Sequence, residues 1–204
     1  MIFDPSTMPW RDAYKLLIGA VLPRPIAWVS TRSADGQPNL APFSFFNVVA
    51  ADPMTLSFSV MRRGSDGSKK DTVRNIEATG EFVVNIVSEP LAAKMNASSA
   101  EVPYDVDEFL VAELTAMPSE AVEAPRVGES LVSYECTLLD MLDVGGAKPG
   151  AASLILGTVV RVHVADSVLD NGRIRLDVLQ PIGRMAGNDY VRCTDLFALV
   201  RPGR

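Results

Sequence analysis

The chain has 204 residues, 48% of them hydrophobic and 22% charged, which is the range of one soluble globular domain able to bury a core, and residues 1–204 are read as a single domain. Its formal net charge of −6 disfavours nucleic acid or an anionic membrane as the main partner. The longest apolar run, Leu16 to Leu22, is shorter than the roughly 20 residues of a membrane-spanning helix.

No basic region of a secretory signal precedes that run. Cys136 and Cys193 have neither disulfide-scaffold density nor metal-ligand spacing, so a cytoplasmic protein with reduced thiols is expected. In chain order, Asp12 is placed to cap a helix in which Tyr14, Leu17, Ile18 and Val21 share one face, ending before Pro23. Ile26 to Val29 is a β-prone run that ends in the hydroxyls of Ser30 and Thr31, and Asp35-Gly36 supplies a tight turn. The return limb is unusual for a strand. Pro38 and Pro42 cannot donate to a ladder, which pushes this limb to a sheet edge or a bulge. Free amides beside Asn39, Ser44, Phe43, Phe45 and Phe46 would suit a flat heteroaromatic ring, although an edge hairpin with core phenylalanines accounts for the same residues.

Val48 and Val49 lead to an A-D-P turn at 51–53, after which Met54 to Val60 alternates. Leu56, Phe58 and Val60 fall on one face, and Thr55, Ser57 and Ser59 on another that lines a groove or meets solvent. Residues 61–70 gather Arg62, Arg63, Lys69 and Lys70 among glycine and serine, a cationic loop suited to a small anion such as phosphate. The loop runs into K-D-T-V-R-N-I-E-A-T-G, a short helix capped by Asp71 or Thr72, with Val73 and Ile76 inward and Gly80 at its end. First-turn amides beside Lys69 and Lys70 would form a phosphate site; a plain cap after a loop explains the same pattern.

Phe82 to Val87 is a strand interrupted by Asn85, and Ser88 caps a second short helix through Leu91 and Met95 to near Asn96. Each asparagine needs a partner if buried, either a ligand or neighbouring backbone. Residues 99–128 are expected to be a long excursion over the barrel surface, facing a dimer partner or a substrate. Leu131–Leu142 and Leu154–Val164 are long strands around a glycine-rich loop. Asn171-Gly172 turns into a strand from Arg173 to Val178. Many strands, short helices and frequent turns predict a mainly β chain forming a closed or nearly closed antiparallel barrel. His163, the one histidine, sits in a strand and reads as structural, and no catalytic side chain or metal ligand is assigned. If the protein is an enzyme, a cofactor should carry the chemistry.

Six further stretches follow R-P-I-A-W-V-S-T at 24–31 in register: N-L-A-P-F-S-F-F-N at 39–47, A-D-P at 51–53, K-D-T-V-R-N-I at 70–76, G-E-F-V-V-N-I-V at 80–87, M-N-A-S-S at 95–99 and P-I-G-R-M-A-G-N-D-Y at 181–190. Together they resemble the flavin reductase-like, FMN-binding split-barrel family, which includes flavoredoxins and the reductases of two-component monooxygenases. The resemblance implies a single-domain antiparallel split β-barrel with a few short helices, a homodimer with the flavin near the subunit interface, and FMN as cofactor. It implies hydride transfer from NADH or NADPH to flavin, which passes electrons to a monooxygenase or another acceptor. Matched by motif, Arg24, Ser30, Thr31, Asn39, Leu40, Ala41, Pro42, Ser44, Phe45 and Phe46 would surround the ring and ribityl chain. Lys70, Asp71 and Thr72 would meet the phosphate, with Asn96 nearby. Many reductases of this type carry a histidine before a G-E-V strand, where this chain has Ala151, Ala152 and Ser153, with Thr158 in place of the acid. That departure keeps a second reading open, an FMN-binding electron carrier of flavoredoxin type that does not oxidise NAD(P)H itself.

Overall fold

In the computed structural model, which describes residues 1–203, helix α1 (Trp10–Ala20) precedes a hairpin of β1 (Ala27–Arg32) and β2 (Pro38–Phe43). Strands β3 (Phe46–Ala51) and β4 (Met54–Met61), helix α2 (Asp71–Thr79) and strand β5 (Glu81–Ile86) follow. After α3 (Ala92–Ala97) and α4 (Glu108–Val111) come the short strands β6 (Ala116–Met117) and β7 (Arg126–Val127). Two thirteen-residue strands, β8 (Val132–Val144) and β9 (Ala152–Val164), complete the main sheet. The remaining chain forms β10 (Leu169–Asp170), β11 (Arg173–Ile174), α5 (Leu176–Leu179), β12 (Ile182–Arg184) and β13 (Tyr190–Arg192). Seven strands pair antiparallel in the order β2-β1-β5-β8-β9-β4-β3.

Strand β2 lies at one edge, as its prolines require, and it carries no bulge: it pairs evenly from Ala27↔Phe43 to Arg32↔Pro38. Parity explains this. The Leu40 N–H points away from β1 and donates to Glu108 at 3.1 Å, so Pro38 and Pro42, on the same parity, lack N–H groups the ladder would not use. Gly36, at φ 89°, closes the turn. The two edge strands, β2 and β3, are joined in sequence by the short Ser44–Phe45 break, and the Ser59 N–H, donating to the Phe45 carbonyl at 2.8 Å, continues the β3–β4 ladder into that break.

The core inside the barrel holds Val29, Leu56, Phe58, Val60, Ile76, Phe82, Val84 and Ile155, with Phe82 edge-on to Phe58 at 5.4 Å. A second core on the outer face joins Ile26, Trp28, Leu40 and Met95 to Phe109, Leu114 and Val127. Residues 99–128 therefore run over the outer face of the barrel as expected, and through these side chains they form a packed cover on it. Asn85 is fully buried, and protein satisfies it: its Nδ2 donates to the Trp28 carbonyl and Ser30 Oγ, and its Oδ1 accepts from the Val127 N–H and Ser133 Oγ.

Three local expectations fail. Pro9, not Asp12, precedes α1, because proline suits the start of a helix; Asp12 instead pairs with Lys15 inside the first turn. Lys70 occupies the cap position of α2, and Asp71 is its first residue, bonded to Arg63 and Arg74. Only Arg173–Ile174 of the 173–178 stretch is a strand; an Arg175–Asp177 ion pair at 2.6 Å accompanies a helical turn that ends at Gln180, φ 47°. Among the described residues no helix is long and apolar enough to cross a membrane.

Candidate functional site

Two cavities meet at Lys70 and Glu101. The larger, about 550 Å³, lies between one face of α1 and the Pro42–Phe45 limb, and is floored by Ser59, Met61 and Arg62. The smaller, about 40 Å³, lies at the start of α2 among Asn39, Ala41, Arg63, Asp71, Thr72 and the 98–102 turn. A third, about 350 Å³, shares Ser44 and Phe45 with the first and reaches Arg24, Phe46, Leu17 and Val21.

The Pro42–Phe45 limb is held by Arg24, which is 5% exposed. Its Nε donates to Ser44 Oγ at 3.2 Å, Nη1 to the carbonyls of Ile18 and Val21, and Nη2 to that of Met185. Its carbon centre lies 6.0 Å from the Phe45 ring. One guanidinium thus ties the end of α1, the barrel break and the C-terminal strands together. Burial lowers its pKa, which costs little in a group so strongly basic.

Lys70 is different. Its side chain forms no ion pair and no hydrogen bond among the described residues, and burial lowers its pKa, only partly offset by Glu101. The neighbouring cations are engaged: Arg63 with Asp71 at 2.7 Å, and Lys69 with Glu77 and Asp143. Beside Lys70, the amides of Asp71 and Thr72 begin α2 and have no intrahelical acceptor. The Thr72 hydroxyl accepts from Asn39 Nδ2 at 3.1 Å, which joins β2 to this helix end. Glu108 closes the back of the small cavity, its carboxyl pKa raised by burial against the bond from Leu40.

Of the residues singled out by sequence, the structure gathers Asn39, Ala41, Pro42, Ser44, Phe45, Lys70, Asp71 and Thr72 around the two joined cavities, and Arg24 and Phe46 around the third. Ser30 and Thr31 are not brought there. Both are fully buried: Ser30 bonds the Pro125 carbonyl and Asn85, and Thr31 accepts from Asn75 at 3.0 Å. Leu40 points into the outer core, and Asn96 is exposed, 3.4 Å from the Tyr190 hydroxyl. Sequence reasoning missed Trp10, Arg11 and Glu101, read Tyr14 only as part of a helix face, and counted Arg62 only in the cationic loop, whereas all five line the large cavity. It also overlooked Ser98 and Ser99, which stand in the same M-N-A-S-S stretch that pointed to Asn96.

This donor set fits a flavin mononucleotide. A cavity of this size lined by tyrosine, phenylalanine and proline accepts a planar ring, and a desolvated, unpartnered lysine beside two free helix amides accepts a phosphate. A family model described as the flavin reductase like domain matches residues 19–179. An uncharacterized protein of Halalkalibacterium halodurans is 43% identical over 204 residues, covering 99% of this chain and 97% of that one. Nitrilotriacetate monooxygenase component B from Bacillus cereus is similar in structure with a TM-score of 0.92, at 40% identity and 98% of each chain. The 2-nitrobenzoate 2-nitroreductase of Pseudomonas fluorescens follows with a TM-score of 0.87 at 30% identity, over 100% of this chain and 97% of its own. With four fifths of its length matched and its barrel shared, this chain belongs to the flavin reductase-like family.

Proposed function

We propose that the protein is an FMN-binding oxidoreductase of the flavin reductase type. FMN bound here would supply two-electron chemistry, taking hydride from NADH or NADPH and passing electrons to a monooxygenase or another acceptor. The observation that carries this reading is Lys70, a half-buried cation without a carboxylate partner among the described residues, where an aromatic-lined cavity meets a helix start.

In this assignment Lys70 and the Asp71 and Thr72 amides hold the phosphate, and Asn39 fixes Thr72 beside it. The Pro42–Phe45 limb and Tyr14 exclude water from the ring, and Arg24 keeps that limb in place through Ser44. Ser30, Thr31 and Leu40 stand behind the site, in the barrel wall and the outer core, and Asn96, exposed beside Tyr190, is given no contact with the flavin. No side-chain acid or base is assigned. We also place the protein in the cytoplasm as a homodimer. Cys136 suits a reducing compartment, as a fully buried thiol whose pKa burial pushes up to about 12.

A second reading, electron carriage without NAD(P)H oxidation, is favoured by one feature. Ser153, where many two-component reductases have a histidine nearby, is 1% exposed with its hydroxyl 2.5 Å from Asp143, and Ala151 is buried as well. Anaerobic addition of NADH or NADPH to the FMN-loaded protein separates the two. Bleaching of the flavin band is expected for a reductase. A yellow protein that neither nucleotide reduces is a carrier, and failure to take up micromolar FMN removes both readings.

A further inference from the structure

Helix α1 turns two rows of side chains toward the large cavity. Trp10, Tyr14 and Ile18, spaced by four, form an aromatic and aliphatic row, and Arg11 and Lys15 form a cationic row beside it. No residue of the helix is buried, yet both ends are fixed. The Trp10 ring packs on Gly150, where an added Cβ would come within 3.0 Å of it, and Arg24 holds the carbonyls of Ile18 and Val21. A helix anchored at both ends whose inner face covers a cavity instead of a core leaves that face for something that enters.

The cations show what enters. Lys15 is neutralised by Asp12 at 2.8 Å. Arg11 has no carboxylate partner among the described residues, and its guanidinium lies 5.2 Å from the Trp10 ring. Arg62 lines the same cavity with a side chain only 9% exposed; one Nη lies 3.1 Å from Asp143, and its Nε is buried with no hydrogen-bond partner. The Arg62 N–H donates to the carbonyl of Ala151, next to the glycine on which Trp10 packs, so both arginines belong to the same end of the cavity. An aromatic face with two incompletely used guanidinium groups matches a flat ring that carries negative charge.

We propose that this end of the cavity is the subsite of the second substrate, and that it takes a small planar aromatic ring bearing an anionic group. Trp10 and Tyr14 receive the ring, and Arg11 and Arg62 receive the charge. The proposal rests on the reading that FMN occupies the Pro42–Phe45 limb and Lys70. The anion is the carboxylate of an aromatic acceptor; a nicotinamide dinucleotide, whose phosphates are not borne on its ring, is the competing occupant that the test separates.

Calorimetric titrations of benzoate, benzamide and NAD⁺ into FMN-free and FMN-loaded protein test it, with FMN affinity measured in parallel. Tryptophan quenching in the FMN-free protein gives a second readout, because Trp28 is fully buried and Trp10 is 37% exposed. Benzoate should bind at least about tenfold more tightly than its neutral amide, Arg11→Ala should erase that preference while leaving FMN affinity unchanged, and Arg11→Lys should keep part of it. Binding of benzoate and not NAD⁺ marks the acceptor site. Failure of benzoate to bind, equal binding of benzoate and benzamide, binding of NAD⁺ alone, or an Arg11→Ala loss that falls as heavily on FMN, overturns the proposal. A protein that takes no FMN but still prefers benzoate through Arg11 would remove the flavin reading and leave the anionic subsite standing.

Discussion

At the residue scale, the two most informative side chains are a satisfied one and an unsatisfied one. Asn85 makes four hydrogen bonds in a fully buried place, linking β1, β5, β7 and β8. Asn85→Leu keeps the volume but strands the Val127 N–H and the Trp28 carbonyl, a loss of about 2–4 kcal/mol, read as a lowered urea midpoint. An unchanged midpoint would mean that water replaces the amide. Lys70 is the converse, a cation without a partner. Lys70→Ala should weaken FMN by about 2–3 kcal/mol and riboflavin, which lacks the phosphate, far less; equal losses would remove its phosphate role. The sign of the pH effect follows from burial. Burial lowers the pKa of the free lysine and only its protonated form pairs with a phosphate, so FMN affinity should fall as pH rises through that lowered value while riboflavin affinity stays flat.

At the element scale, the long β8–β9 ribbon depends on contacts that no single residue announces. Gly157 faces the Phe82 ring, and a Cβ there would lie 2.2 Å from its tip, in a core where Phe82 already meets Phe58 edge-on. Gly157→Ala should cost about 1–3 kcal/mol or more through overpacking, and Phe82→Leu in the same chain should recover part of it; a denaturant series on the two singles and the double measures the coupling. On the other side of the ribbon, Glu135 is fully buried and accepts from the amides of Glu120 and Ala121 and from His163. Burial alone would raise its pKa, but these donors outweigh it and hold the carboxyl below its ordinary value. A lowered carboxyl stabilises the fold above the ordinary carboxylate range, and that stability is lost as pH falls through the lowered value. The stability gap between wild type and Glu135→Gln should therefore close toward acid pH; a gap of constant size would show that the carboxylate charge is irrelevant.

These contacts also show what could be read in the chain and what could not. The alternation from Met54 to Val60, the turn at Gly36, the Gly80 stop and the edge position of β2 depend on local periodicity or on backbone freedom, and all are visible in sequence. The 99–128 cover was not legible because Phe109, Leu114, Val122 and Val127 enter the interior singly, with no period to mark them. The site divided the same way. Of the residues that line the cavities, those tied to backbone motif, the Asn39–Phe45 limb and the start of α2, stand out in sequence; the α1 wall does not, because Trp10, Arg11 and Tyr14 meet the limb only after the chain folds back through Arg24.

At the scale of the whole molecule, the apolar surface that remains uncovered is the main anomaly. Leu196, Phe197, Leu199 and Val200 are 68–90% exposed on a segment without helix or strand. The second half of β8 adds Leu139, Leu142 and Val144, since β5 pairs only with its first half, and the edge strand β3 adds Val48 and Val49. Exposed apolar area this extensive, on a chain whose net charge of −6 disfavours loose aggregation, is what a second copy would bury. Sedimentation should show a dimer, and the unfolding temperature should rise with protein concentration, because only the folded state associates. Removal of residues 195–204 should shift the species toward monomer while leaving the barrel folded. The cavity beside α1 shares Ser44 and Phe45 with the groove that reaches Leu17 and Val21, so a partner seated on that groove would also narrow the mouth of that cavity. FMN affinity should then fall along with dimerisation in the truncated protein. A full-length chain that sediments as a monomer at all concentrations and still binds FMN tightly would separate the site from any partner.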